Sequence, residues 1–460
     1  MSTLLVKNAQ ILLTMDDHRR EIKGGGIFIK DGFIEEVGPS ASLPDQADEV
    51  LDVSGHIVLP GLVNTHHHFY QTLTRVIPDA QDVNLFHWLK TLYPIWARMG
   101  PEEIRVSTKT ALAELALSGC TTASDHLYLF PNGSRLDDEI QSAQEIGLRL
   151  HASRGSMSLG ESKGGLPPDS VVEDEDEILR DSQRVIETYH DPEPGSFLQI
   201  VLAPCSPFSV TGDLMRESAA LAREYGVRLH THLAETEDEI DFCLEQFGKR
   251  PVAYMEDVGW MGPDVWFAHS VHINDDEMAE YAKHDCGVAH CPGSNMRLAS
   301  GAAPILDMLK AGIRVGVGVD GSASNDSSHM IEEVRRAMLL ARLRAGMLGA
   351  SRSGENGLPI MSARQALEIG TRGGAAVLGR TDIGALEKGK VGDFIALDLR
   401  QLGYAGALHD PVAAVNFCAP SGVAYNVVGG KFVVKEGELV SVDINQLIET
   451  HNQLAQQLVR

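Results

Sequence analysis

Histidine and carboxylate recur in this sequence at spacings that suit a divalent cation. His66-His67-His68 closes one apolar stretch, and His230-Thr231-His232 closes another, with Glu235 three residues further on. Ala268-His269-Ser270 and Val319-Asp320-Gly321 end two more. On a strand, residues two apart point to the same side, so His66 and His68 can face one ion while His67 turns away. Imidazole nitrogen and carboxylate oxygen are good ligands for Zn2+ and related ions. His66, His68, His232 and Asp320 would surround one ion and leave a position for water, as a hydrolytic centre requires. A lone histidine at a strand end is more often polar surface or a satisfied core group. The weight lies in the coincidence that every cluster falls at the same end of its strand. His67, His230 and His272 are expected to be non-ligands.

The elements that must bring these groups together are short apolar strands alternating with longer helical stretches. HIVLPGLVNTH, CTTASDH, LRLHASR, FLQIVLAP, RLHTHLAE, VWFAHS, GVAHCP and RVGVGVD read as strands. PEEIRVSTKTALAELALSG and DLMRESAALAREYG read as helices between them. Eight such units over residues 59–382 predict an α/β fold, a (β/α)8 TIM-like barrel, whose functional groups sit at the C-terminal ends of its strands. Residues 1–58 and 383–440 read instead as short strands broken by Gly and Asp turns. The spacing predicts one small β-sandwich domain built from both chain ends, because termini often lie close in space. Residues 441–460 predict a C-terminal surface helix. The acidic run Glu173-Asp174-Glu175-Asp176-Glu177 precedes a helix and opposes its dipole, a structural role.

Composition narrows the classes. The chain has 460 residues, 43% hydrophobic, with 39 basic side chains against 64 acidic ones and a net charge of −25. So acidic a surface repels phosphate backbones, which argues against nucleic acid as a partner. The six cysteines are scattered, without a C-x-x-C pair, and point to a reducing cytoplasm. The opening MSTLLVKNAQ lacks the order of a signal peptide, and no apolar run is long enough to span a membrane. Gly316-Val317-Gly318-Val319-Asp320-Gly321 matches G-x-G-x-x-G, but its glycines lie within the strand and not between strand and helix, so a dinucleotide site is rejected. Pro204-Cys205 lacks the second cysteine of the cytidine-deaminase signature.

Five segments, PGLVNTHHH, HTHLAET, AHSVH, CPGSNMRLASG and GVGVDGSASND, resemble the motifs of the amidohydrolase superfamily, in its order and over nearly the whole chain. TRGGAAVLG and IGALEKGKVGDFIALD resemble its closing segments. The set is most similar to the aminohydrolase branch, which holds guanine, 8-oxoguanine, cytosine and s-triazine hydrolases. The resemblance implies that His66, His68, His232 and Asp320 bind the metal and that Asp320 takes a proton from the attacking water. It implies that Glu235 moves protons to the ring nitrogen and leaving group, and that His269 hydrogen-bonds the attacking oxygen. It implies a homo-oligomer acting on a small heterocyclic substrate. Binuclear members use a carboxylated lysine at the end of the fourth strand, and Ile200 to Pro207 contains no lysine. One ion is therefore expected, Zn2+, with Fe2+ the alternative that serves some relatives.

The text NTHHHFYQTLTR together with APCSPFSV is similar to 8-oxoguanine deaminases, which yield urate and ammonia. Guanine deaminases usually carry an arginine where Cys205-Ser206-Pro207-Phe208 stands. Hydroxyatrazine-type s-triazine hydrolases and guanine or pterin aminohydrolases are the alternatives. Expected substrate contacts are Gln71, Trp88 as a cover for a planar ring, Arg154 and Ser156 toward a carbonyl, and Cys205 or Ser206. His126 is expected to be structural. A reading from another class is a non-catalytic assembly protein on the same scaffold; such proteins lose ligands, and here all four remain with Glu235 and His269.

Overall fold

The computed structural model describes residues 2–349, 360–418 and 422–460. Eight parallel strands close into a barrel: β1 (Leu62–Asn64), β2 (Cys120–Leu127), β3 (Arg149–Ser156), β4 (Leu198–Pro204), β5 (Arg228–Leu233), β6 (Val265–His269), β7 (Gly287–His290) and β8 (Arg314–Val317). Val317 of β8 pairs with Asn64 of β1 and completes the ring. Helices follow the strands, as the alternation predicts. Inside the barrel, Val63, Val201, Trp266 and Ala289 pack against Ala375, Val377 and Leu378 in an apolar plug. The polar clusters lie at the other end, where the strands finish.

Both chain ends form one nine-stranded mixed sheet. Its N-terminal members run from Thr3–Leu13 to His56–Pro60, and its C-terminal members from Phe394–Asp398 to Glu438–Leu439. His56–Pro60 pairs antiparallel with Phe394–Asp398 and joins the two halves. Leu12, Ile27, Ile34, Val58, Phe394 and Val427 close on one shared apolar cluster.

The run HIVLPGLVNTH, expected as one strand, is two. His56–Pro60 belongs to the sheet and Leu62–Asn64 to the barrel. Gly61 is the joint, and a Cβ there would lie 2.1 Å from the Thr121 side chain. The helix Glu175–Tyr189 starts on the Asp174 cap with its acidic first turn, as charge and dipole require. The helix Ile444–Leu458 does more than lie on the surface: Leu454 and Leu458 are buried and His451 Nε2 meets Thr72 Oγ1 at 3.1 Å. No described helix is long and apolar enough to cross a membrane.

Candidate metal centre and substrate cavity

Past the last hydrogen bonds of β1, the chain carries His66 and His68 over the barrel mouth. The Asp320 backbone amide donates to His66 O at 3.0 Å, so the β8 end is stitched to the β1 end. Ala234, His269, Ser270 and Asp320 all have φ between 50° and 72°, the left-handed region that non-glycine residues avoid. Four such residues at one barrel rim mark a place where side-chain aim outweighs backbone strain. Gly321 is required beside them: a Cβ there would fall 1.8 Å from Gln71 Oε1.

Proton positions follow from the hydrogen bonds. His230 Nδ1 meets Trp266 O at 3.0 Å, and a carbonyl only accepts, so Nδ1 carries the proton. Burial pushes His230 well below the ordinary imidazole value, so the ring is neutral and its Nε2 is a lone pair. That lone pair accepts from His66 Nδ1 at 2.8 Å. Burial holds His66 neutral as well, which leaves His66 Nε2 unprotonated. His68 Nδ1 donates to His126 O at 2.7 Å, and His232 Nδ1 to Cys205 O at 2.7 Å. Burial also lowers both of these histidines, so each presents an unprotonated Nε2.

Those three nitrogens converge on Asp320. His66 Nε2 lies 3.2 Å from Asp320 Oδ1, His68 Nε2 lies 3.4 Å from it, and the Nε2 atoms of His68 and His232 are 3.1 Å apart. Asp320 is itself buried among these rings. Lone pairs facing lone pairs and a carboxylate repel unless a cation lies among them. The buried His66 Nε2 has no hydrogen-bond partner among the described residues, as a ligand atom would not. The donor set therefore fits a divalent ion, and each imidazole has the orienting bond on its other nitrogen that metal sites use. Gly321 N at 2.7 Å and Ser324 Oγ at 2.9 Å hold the two Asp320 oxygens.

Two further imidazoles border the centre. Donor atoms of His66, His68, His126 and His232, and of His66, His232, His269 and Asp320, lie within 4.8 Å of one another. His126 Nε2 donates to Ala203 O at 2.7 Å, which leaves its Nδ1 as a free lone pair. His269 behaves differently. Burial pushes its ring down, but the charges of Glu235 and Asp320 overcome that and raise it. Its Nδ1 donates to Asn295 Oδ1 at 2.9 Å, and its Nε2 lies 3.5 Å from Glu235 Oε2. Burial pushes the Glu235 carboxyl up to about 7 against the opposing pull of His269. Glu239 accepts from Ala234 N at 2.8 Å and Glu235 N at 2.9 Å and pins the turn that carries Glu235.

A cavity opens directly over this cluster. His68, His232, Glu235, His269 and Asp320 form its polar side, and Leu85, Trp88, Leu89, Phe208 and Leu298 its apolar side. Of the substrate contacts expected from sequence, Gln71, Trp88 and Cys205 line it, and Arg154, Ser156 and Ser206 do not. On β3, Ser153 pairs in register with His126, which faces the centre, whereas Arg154 pairs with Leu127. Arg154 and Ser156 therefore share the outward phase of the strand. Arg154 is bound at 2.8 Å by Glu173 and at 2.8 Å by Asp181, over the Phe130 ring. Ser206 Oγ is bound to Ser209 Oγ at 2.8 Å. The cavity also recruits Tyr93, Tyr128 and Ser324, which the sequence reading missed.

Known proteins show the same architecture. The amidohydrolase family model matches residues 57–433. An 8-oxoguanine deaminase of Pseudomonas aeruginosa is 49% identical over 438 residues, 95% of each chain. A hydroxydechloroatrazine ethylaminohydrolase of a Pseudomonas species is 37% identical over 97% of this chain and 94% of its own. The crystal structure of an atrazine chlorohydrolase from Arthrobacter aurescens, complexed with zinc, superposes with a TM-score of 0.92 at 32% identity, covering 98% of this chain and 100% of that one.

Proposed function

Because this chain belongs to the amidohydrolase family, we propose that it is a hydrolytic deaminase of an aminated heterocycle, 8-oxoguanine, which it converts to urate and ammonia. The observation that carries the reading is the meeting of three histidine Nε2 atoms with the Asp320 carboxylate at the floor of an open cavity, beside the Glu235 carboxyl. In this reading His66, His68, His232 and Asp320 hold one Zn2+. When bound, such an ion supplies Lewis acidity that makes water a nucleophile near neutral pH.

The chain's own groups divide the remaining work. Asp320, whose two oxygens are held by Gly321 N and Ser324 Oγ, accepts a proton from the attacking water. Glu235, poised near 7, donates to the ring nitrogen as oxygen adds to the neighbouring carbon. The carboxylate so formed takes the proton of the added hydroxyl as the carbonyl forms and passes it to the departing amine, which leaves as ammonia, while the proton held by Asp320 restores Glu235. His269 offers Nε2–H to the attacking oxygen. Trp88 and the leucines around it cover the ring and exclude water. Positioned proton transfer of this kind contributes roughly 10²–10⁴-fold.

The substrate assignment rests on the 49% identity to an 8-oxoguanine deaminase. The neutral Cys205 in the cavity wall, with its thiol pushed up to about 12 by burial, also supports it. A fixed cation there would favour guanine, which offers a bare N7 acceptor. Six unpaired cysteines, five of them buried, fit a reducing cytoplasm. An ammonia-release screen over purines, pterins, pyrimidines and triazines tests the function. Turnover of 8-oxoguanine above all others is expected. Turnover of triazines alone would replace the substrate, and release from none of them would refute the reading.

A further inference from the structure

Among the polar groups of the cavity wall, one hydroxyl is both wholly buried and without a hydrogen-bond partner among the described residues. Trp88 Nε1 donates to Ala323 O at 3.1 Å, Gln71 Oε1 accepts from Ala323 N at 3.3 Å, and Ser324 Oγ donates to Asp320 at 2.9 Å. Tyr93 lines the same cavity and is fully buried, and its Oη has no hydrogen-bond partner among the described residues. Tyr70 Oη is also unpartnered, but Tyr70 does not line the cavity. Burial pushes the Tyr93 phenol well above its ordinary range, so it remains an O–H able both to donate and to accept. A buried hydroxyl left without a partner is costly, and such groups in native proteins call for an explanation.

The position of Tyr93 limits what it can touch. It stands on the helix Leu85–Trp96 that covers the cavity. Its ring contacts reach His68 only through Trp96 at 5.8 Å, then Tyr70 at 5.3 Å and Tyr128 at 5.7 Å, with Tyr128 finally 5.1 Å from His68. Among the described residues, no hydrogen bond or ring contact joins Tyr93 to Glu235, His269 or Asp320.

We propose that the Tyr93 hydroxyl is the specificity contact for the far edge of a bicyclic substrate, donating to a carbonyl oxygen on the second ring or accepting from the ring N–H beside it. The proposal rests on the functional reading above. The same hydroxyl has nothing to bind when the substrate is a single ring. Selection of bicyclic substrates over monocyclic ones then comes from a group that takes no part in proton transfer.

Tyr93→Phe tests this with two substrates, 8-oxoguanine and the monocyclic 2-aminopyrimidin-4-one, which keeps the reacting ring and lacks the second. The variant should raise KM for 8-oxoguanine with little change in kcat, the signature of lost uniform binding. The ratio of kcat/KM for the bicyclic over the monocyclic substrate should fall about tenfold, the size of one lost buried hydrogen bond. The ligand-free variant should melt no lower than the parent, because its missing hydroxyl had no protein partner. An unchanged ratio, equal losses on both substrates, or a lower melting temperature in the ligand-free state would overturn the assignment of Tyr93. A parent protein that hydrolyses neither substrate would overturn the functional reading and this inference together.

Discussion

His230 touches no substrate, yet its replacement by Phe should weaken the metal centre. The ring lies between Trp266 O at 3.0 Å and His66 Nδ1 at 2.8 Å, and all of these groups are buried. Through these bonds it fixes the tautomer that presents the His66 Nε2 lone pair. Phe keeps the stacked contact with Trp266, now 4.5 Å between centroids, but accepts nothing from His66. The His66 Nδ1–H then loses its acceptor in a dry site, a cost of about 1–3 kcal/mol. Alternatively the proton moves to Nε2 and blocks the ligand atom. Loss of an orienting partner lowers metal affinity roughly 10–100-fold, or about 1.4–2.7 kcal/mol, so the two estimates agree. Competition with a chromophoric chelator measures the Zn2+ dissociation constant, and near-UV circular dichroism reports on the fold. Ser328→Ala is the control, since Ser328 Oγ bonds His67 Nε2 at 2.9 Å and His67 turns away from the centre. A folded His230→Phe protein that binds Zn2+ within twofold of the parent would refute the reasoning.

Glu235→Gln should retain its metal and lose kcat by roughly 10²–10⁴-fold, read by metal analysis beside steady-state rates; a metal-free variant would make Glu235 a ligand. Arg154→Lys should leave KM unchanged and cost about 2 kcal/mol in denaturant unfolding, because the fork to Glu173 and Asp181 is structural; a raised KM would return Arg154 to the binding site. The neighbouring buried carboxyls of Asp125 and Glu139 are both raised by burial, Asp125 from 3.8 to about 8. The folded chain holds a proton there that the unfolded chain has released, so stability should fall as pH rises across that window. Glu139→Gln should flatten that fall in urea titrations at several pH values, and an equally steep fall in the variant would exclude the pair as its source.

Much of the site was legible because period-two spacing survives at strand ends. His66 with His68, and His230 with His232, point inward in pairs, but that His230, expected only as a non-ligand, bonds His66 is a contact between two strands that spacing does not show. Asp320 and His269 were legible from their place at strand ends. The substrate wall was harder to read. Every residue of β3 is buried, so polarity does not reveal which phase faces the centre, and Arg154 and Ser156 were assigned to the wrong side. Gly61 separates two apolar strands that read as one, since sheet and barrel demand the same residue types. Tyr93 sits in LFHWLKTLYPIW, where aromatic residues at helical spacing read as core packing. Only the unpartnered Oη distinguishes it, and that is a property of the folded chain.

The most direct measurement is metal titration coupled to turnover. Protein stripped with a chelator should stay folded, release no ammonia from 8-oxoguanine, and regain activity linearly until one equivalent of Zn2+ has been added. Activity that persists in the stripped protein, or that saturates only at two equivalents, would contradict a single ion held by His66, His68, His232 and Asp320.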